Sequence, residues 1–156
     1  TPVDMDPLGL GAVEDKMALA LDLVNVRMIL EPGIAEMAAL HATSEDVKRL
    51  RQLCGIIEDK IENGENYIEE DIAFHTGVAR CSGNKVVEQL VPLIDTAVMM
   101  FVNVTHRRLT EETIMTHRAV TDAIEEKDPM GAKSAMMMHM TFNRNMIKEM
   151  IKNNEK

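Results

Sequence analysis

Between Val47 and Ile61, the apolar residues Val47, Leu50, Leu53, Cys54, Ile57 and Ile61 fall on one face of an α-helix. Similar spacing returns along most of the chain, and no stretch alternates in twos as a strand would. Composition agrees: aromatic residues make up 3%, Trp is absent and Met occurs 14 times, a balance that suits helix over strand. With 156 residues, 46% of them hydrophobic and 28% charged, the chain has the material for the core of one ordered domain.

The turn and cap residues divide the pattern. Residues 1–12 hold Pro2, Pro7, Gly9 and Gly11 and read as a tail or linker, leaving 13–156 as the domain. Helices are expected from about Val13 to Leu30 and, opened by Pro32, on to His41. Thr43 and Asp46 form a capping box for the third, with Asp where Glu or Gln is usual, and Asn63-Gly64 ends it. Asn66 and Glu69 mark the start of a fourth, which passes through Ile68, Asp71, His75 and Val78 and stops near Ser82-Gly83-Asn84. A long fifth helix reaches about Arg107, with Pro92 kinking it or marking its early turns. Thr110 caps a sixth that ends near Lys127. Asp128-Pro129 supplies an N-cap and a first-turn proline to the last, which runs to about Lys152. The result is an all-α domain of seven helices on short connections, which makes neighbours antiparallel in a bundle.

Several functions are disfavoured. The formal net charge of −9 repels phosphate, so this chain alone is a poor DNA binder. Cys54 and Cys81 form no C-x-x-C pair and fit a reducing, cytoplasmic compartment. No apolar run approaches the ~18 residues that cross a bilayer, and no basic segment followed by an apolar run opens the chain. The phosphate-binding, dinucleotide, zinc-protease and nucleophile-elbow motifs are absent, and Ser44, Ser82 and Ser134 have no evident triad, so nucleophilic catalysis has no support.

What stands out is polar residues on apolar stripes. Asp71 and His75 are four apart, so they leave the same helical face, one shared with Ile68, Val78 and Ala79. His117 lies three residues after Ile114 and three before Val120. His139 follows Ala132, Ala135 and Met136 and precedes Phe142 and Met146. Each residue alone has a plainer account, a core histidine or carboxylate satisfied by one neighbour. Burying one such group unpaired costs a few kcal/mol, and four of them on three helices point to a shared partner. A divalent cation fits, because imidazole nitrogen and carboxylate oxygen are its ligands.

Arg27 is a further inward-facing residue, flanked by Leu23 and Leu30. It either pairs with Glu31 or Asp71, or offers a guanidinium fork to a ligand carboxylate. His41 and His106 sit at helix C-termini, where a solvated cationic ring suits the helix dipole. The run Met136-Met137-Met138-His139-Met140 points in several directions and reads as adaptable packing rather than a copper site.

The stretch VRMILEPGIAEMAALHATSEDVKRL, Val26 to Leu50, resembles the opening of the FCD domain, the C-terminal effector domain of the FadR branch of GntR-type bacterial transcription regulators. EDIAFHTGVARCSGNKVVEQL, Glu70 to Leu90, resembles its second block, with the D-x-x-F-H and S-G-N elements intact. HRAVTDAIEEKDPMGAKSAMMMHM, His117 to Met140, resembles its third. The resemblance runs from about Leu19 to Lys152. It implies an antiparallel bundle of six or seven helices around a central cavity, with one Asp and three His holding a divalent ion at its base. The matching positions are Asp71, His75, His117 and His139. It further implies that Arg27 meets a carboxylate effector, that Asn84 lies near the cavity (where a plain N-cap role is the stronger reading), and that the effector is a small organic acid. The winged-helix domain that precedes such domains has no counterpart in this sequence.

The expectation is therefore an effector-sensing domain and not an enzyme. Zinc is the first choice of ion, with nickel, iron or manganese as other candidates. DNA would be contacted only through the missing domain, and a homodimer is expected. The rival readings are a helical-bundle metalloenzyme acting on a small carboxylic acid, for which no further carboxylate is evident on these stripes, and a structural dimerisation bundle.

Overall fold

The computed structural model describes residues 6, 8–105 and 110–154. Among them there is no strand. A 3₁₀ turn at Leu10–Ala12 precedes seven α-helices: α1 Lys16–His41, α2 Ser44–Glu62, α3 Ile68–Arg80, α4 Lys85–Glu88, α5 Val91–Thr105, α6 Thr110–Glu125 and α7 Pro129–Asn154.

Helix α1 opens on Asp15, whose carboxylate accepts the Ala18 amide at 3.0 Å. It then continues without a break through Pro32. The two helices expected on either side of Pro32 are one. An interior proline removes a backbone hydrogen bond and costs about 3 kcal/mol. Here it is outweighed by burial, because Leu19, Leu23, Val24, Arg27, Glu31, Ile34, Ala35, Ala38 and Ala39 form one uninterrupted inward stripe. Ending the helix at Leu30 would turn half of that stripe away from the core.

The opposite correction applies after Asn84. The single long helix expected there is two: α4 is one turn, and the chain reorients at Gln89-Leu90 before α5 begins at Val91. Pro92 thus lies in the first turn of α5, where a missing N–H costs nothing. One junction vanished and another appeared, so the count of seven survives with different boundaries.

Other boundaries follow their caps. Thr43 and Asp46 form the reciprocal capping box at the head of α2. The Asn66 side chain accepts the Ile68 amide at 3.0 Å, just ahead of α3. Asp128 accepts the Gly131 amide at 2.9 Å and Pro129 is the first residue of α7. The residue preceding Thr110 lies outside the described residues, as does the expected end of the fifth helix at Arg107.

The two longest helices, α1 and α7, pack along each other, and α7 also lies against α6. Helix α3 is held between α2 and α5, with α1 across it. Lys133 near the start of α7 meets Glu36 near the end of α1 at 3.7 Å, so the pair is antiparallel. Phe74, Leu50, Ile57, Ile94, Ile124, Met136, Met140 and Ile147 are fully enclosed. Each large apolar side chain so buried contributes roughly 1.5–3 kcal/mol. No described helix is long and apolar enough to cross a membrane. This packing sets the inner faces of α1, α3, α6 and α7 around one polar cluster.

Candidate metal centre

The cluster is built from three helices. Helix α3 presents Asp71 and His75 one turn apart, α6 presents His117 and α7 presents His139. All four are buried, at 6%, 1%, 1% and 4% exposure. The Nε2 atoms of His75 and His139 are 3.1 Å apart. Asp71 Oδ1 is 3.3 Å from His117 Nε2 and 3.4 Å from His75 Nε2. One nitrogen from each of the three rings lies within 4.8 Å of the others. Phe74 stacks on His117 with centroids 4.3 Å apart and closes one side.

The donors suit a cation. Two ligand atoms each about 2.1 Å from one ion stand roughly 3–3.4 Å apart, the spacing of three of the contacts above. Asp71 Oδ1 and both ring nitrogens of His117 are buried without a hydrogen-bond partner. Orphaned polar atoms of this kind each cost on the order of 1–3 kcal/mol, and here they converge. Three buried histidines are therefore arranged as a metal site requires.

Two further residues hold the rings. Glu31 accepts a hydrogen bond from His75 Nδ1 at 2.5 Å, and its other oxygen pairs with Arg27 Nε. Arg27 Nη2 lies 3.4 Å from both nitrogens of His75. On α6, the Thr116 hydroxyl is 2.6 Å from the Glu112 carbonyl and 2.7 Å from His139 Nδ1. The sequence points to Glu31 only as a partner for Arg27 and does not single out Thr116. No clear extra carboxylate is expected on the inward stripes, which the structure corrects: Glu31 is one. With α1 expected to end at Leu30, Glu31 fell at a helix boundary. The four-residue step from Arg27 to Glu31 was the signal that could have found it.

Burial works against every charge here, and the neighbours decide the outcome. Burial pushes the Asp71 pKa up, but the rings of His117 and His75 overrule it and hold it well below the carboxylate range. Glu31 likewise meets a burial penalty, overcome by Arg27 and then His75, and its pKa falls to about 2. Burial lowers His75, yet the Glu31 carboxylate leaves it raised on balance. His117 and His139 are lowered, mainly by burial, and His139 is further lowered by the rings of His117 and His75. At neutral pH the cluster offers two carboxylates and at least one neutral imidazole facing inward.

Other candidates fall elsewhere. Asn84 is exposed, and its side-chain oxygen caps α4 by accepting from Val86 and Val87 at 2.9 and 3.1 Å. His41 is the exposed last residue of α1, and its Nδ1 donates to the Met37 carbonyl at 3.1 Å. It packs on Gly83, where φ is +69° and an added Cβ would come within 3.0 Å of the ring. His106 lies outside the described residues. In the methionine run, Met136 and Met140 are buried while Met137 and Met138 are largely exposed, so their sulfurs do not share one site.

The all-helical bundle of the described residues is the fold of a GntR-type FCD domain. The family model of the FCD domain matches residues 22–142, and the chain belongs to that family. It is 29% identical over 147 residues to the uncharacterized HTH-type transcriptional regulator YcbG of Bacillus subtilis, covering 91% of this chain and 62% of that protein. It is also 29% identical over 120 residues to the HTH-type transcriptional repressor NanR of Escherichia coli K12, covering 74% of this chain and 46% of that one. Among solved structures, Streptococcus agalactiae GntR superposes with a TM-score of 0.78 at 34% identity, over 90% of this chain and 64% of that one. The chain thus spans about half to two thirds of the length of these relatives.

Proposed function

We propose that this domain senses a small organic acid at a divalent ion held by Asp71, His75, His117 and His139. We further propose that the bound acid tunes DNA binding by a winged-helix segment of a longer, dimeric regulator working in the cytoplasm. The observation that carries the reading is the spacing of the donors, 3.1 to 3.4 Å, together with the unpartnered atoms of Asp71 and His117. The relatives are HTH-type transcriptional regulators, one of them a repressor, which supports the regulatory half.

Three imidazoles and a carboxylate suit zinc best, with nickel, iron and manganese compatible with the same donors. When bound, the ion would supply a Lewis-acidic anchor for a ligand carboxylate. The protein's part is selection. Arg27 has one edge engaged by Glu31, while Nη2 lies 3.4 Å from His75 Nε2. A carboxylate anchored on the ion would come within its reach. Of the two residues expected to meet the ligand, Arg27 carries the proposal. Asn84 enters it only through its amide nitrogen, since its oxygen is engaged at the cap of α4. To act as a switch, the acid must bind one arrangement of the bundle more tightly than another.

Glu31 is a poor general base. A general base needs a pKa near the working pH, and Glu31 is held near 2 by Arg27 and His75.

The test is elemental analysis of protein purified without added metal, followed by calorimetric titration with a panel of hydroxy, keto, sugar and dicarboxylic acids. Stoichiometric metal and saturable binding of an acid recovered unchanged are expected. Protein that neither carries metal nor shifts its melting on adding any would overturn the reading, and turnover of the acid would favour the enzyme.

A further inference from the structure

The rings of His75 and His139 are each gripped at Nδ1, by groups of different chemistry that impose the same result. Glu31 is ion-paired with Arg27 through its other oxygen and so acts as an acceptor, and the 2.5 Å contact puts the hydrogen on His75 Nδ1. Thr116 reaches that result by a different route. Its hydroxyl has one hydrogen. The Glu112 carbonyl, 2.6 Å away, cannot donate, so that contact takes the hydroxyl hydrogen. The 2.7 Å contact with His139 must then be an N–H from Nδ1 to the threonine oxygen. In both rings Nε2 is left as the atom that can take an ion, or a proton where no ion is bound. These are the two atoms that face each other at 3.1 Å.

We infer that Glu31 and Thr116 are positioning residues that fix His75 and His139 as Nδ1–H tautomers, so that both rings present Nε2 to one ion. The inference rests on the metal reading above, but the hydrogens on the two Nδ1 atoms do not depend on an ion. Glu31 is locked in turn by Arg27, so one chain of contacts runs Arg27–Glu31–His75, and a second runs Glu112–Thr116–His139. His117 has no such support, as neither of its nitrogens has a hydrogen-bond partner. Two rings are thus fixed by hydrogen bonds at Nδ1, and the third is held by its stacking on Phe74. Hydrogen bonds to the far nitrogen of a ligating imidazole fix its tautomer and orientation, and their loss typically costs 10- to 100-fold in metal affinity.

The experiment pairs two readouts. First, two-bond ¹H–¹⁵N correlation spectra of the ¹⁵N-labelled, chelator-treated 156-residue chain report the imidazole tautomers directly. His75 and His139 should both carry hydrogen on Nδ1. An Nε2–H tautomer at either ring, with Nδ1 bare, would overturn the inference whether or not metal binds. Second, Zn²⁺ affinity is compared for Thr116→Val, which keeps shape and loses the hydroxyl, and Thr116→Ser, which keeps the hydroxyl. Thr116→Val should lose about 10- to 100-fold with the His139 signals alone altered, and Thr116→Ser should stay within a few-fold of the parent. Equal Zn²⁺ affinity in Thr116→Val and the parent would overturn it. A parent chain that binds no Zn²⁺ sinks the metal reading instead, and the spectra still decide the tautomers.

Discussion

The Nε2 atoms of His75 and His139 face each other at 3.1 Å in the interior of the bundle, at a distance that two lone pairs do not tolerate without a cation between them. Either a proton or a metal ion must serve. Burial opposes a charged His75, but the Glu31 carboxylate leaves its pKa raised, whereas His139 is held down. Without metal, the proton therefore sits on His75.

Metal and proton should then compete. Zn²⁺ binding is expected to expel about one proton, and affinity should weaken as pH falls through the raised His75 value, where the protonated ring dominates. Calorimetry in buffers of different ionisation enthalpy measures the proton count. A binding enthalpy independent of the buffer would contradict it.

His117→Ala removes, of the three rings, the one whose nitrogens have no hydrogen-bond partner. Its effect should be on metal far more than on folding. At 100-fold excess over Kd, bound metal stabilises by about 2.7 kcal/mol, or very roughly 5–10 °C in a domain this size. The parent chain should show that rise in Tm on adding Zn²⁺, and His117→Ala should lose most of it.

Arg27→Met leaves Glu31 buried with only His75 beside it. Breaking a buried ion pair from one side costs about 3–5 kcal/mol, which should appear as a lower midpoint in urea unfolding. Arg27→Lys keeps the charge and loses the planar fork, so it should recover part of the stability while binding acid effectors at least about tenfold more weakly. Unchanged acid affinity in Arg27→Lys would remove Arg27 from the ligand site.

Thr43→Ala deletes half of the α2 capping box. A loss of about 1 kcal/mol is expected, seen as a fall of roughly 2–4 °C in Tm, with metal binding untouched.

Burial pushes the Cys81 thiol up to about 12, with Asp46 adding to the effect. The thiolate is the reactive form, so Cys81 should resist alkylation at pH 8 in the native chain and react at the ordinary rate in denaturant.

Most of the site was legible because helical phase alone sorts residues by face. Asp71, His75, His117 and His139 each sat on an apolar stripe, and the bundle brought those stripes together. What was hidden depended on tertiary forces overriding local rules. Pro32 reads as a boundary, and only the burial of α1 on both sides of it reveals a single helix. Glu31 was obscured by that same boundary. Thr116 was hidden for another reason: it is adjacent in sequence to His117, and consecutive helical residues point about 100° apart. Both serve one site because α6 is flanked by α2, α1 and α7, so more than one of its faces is interior. Asn84 reads first as an N-cap, and α4 begins just after it.

The continuity of α1 through Pro32 also has a mechanical side. Proline cannot donate to the carbonyl of Met28, so the ladder of α1 has a missing rung, and a helix bends most readily where a rung is missing. That rung is level with Glu31, whose carboxylate grips both Arg27 and His75. One of the two longest helices thus has its most compliant point beside the polar cluster. A shift at His75, passed through Glu31, would act at the joint between Lys16–Leu30 and Gly33–His41.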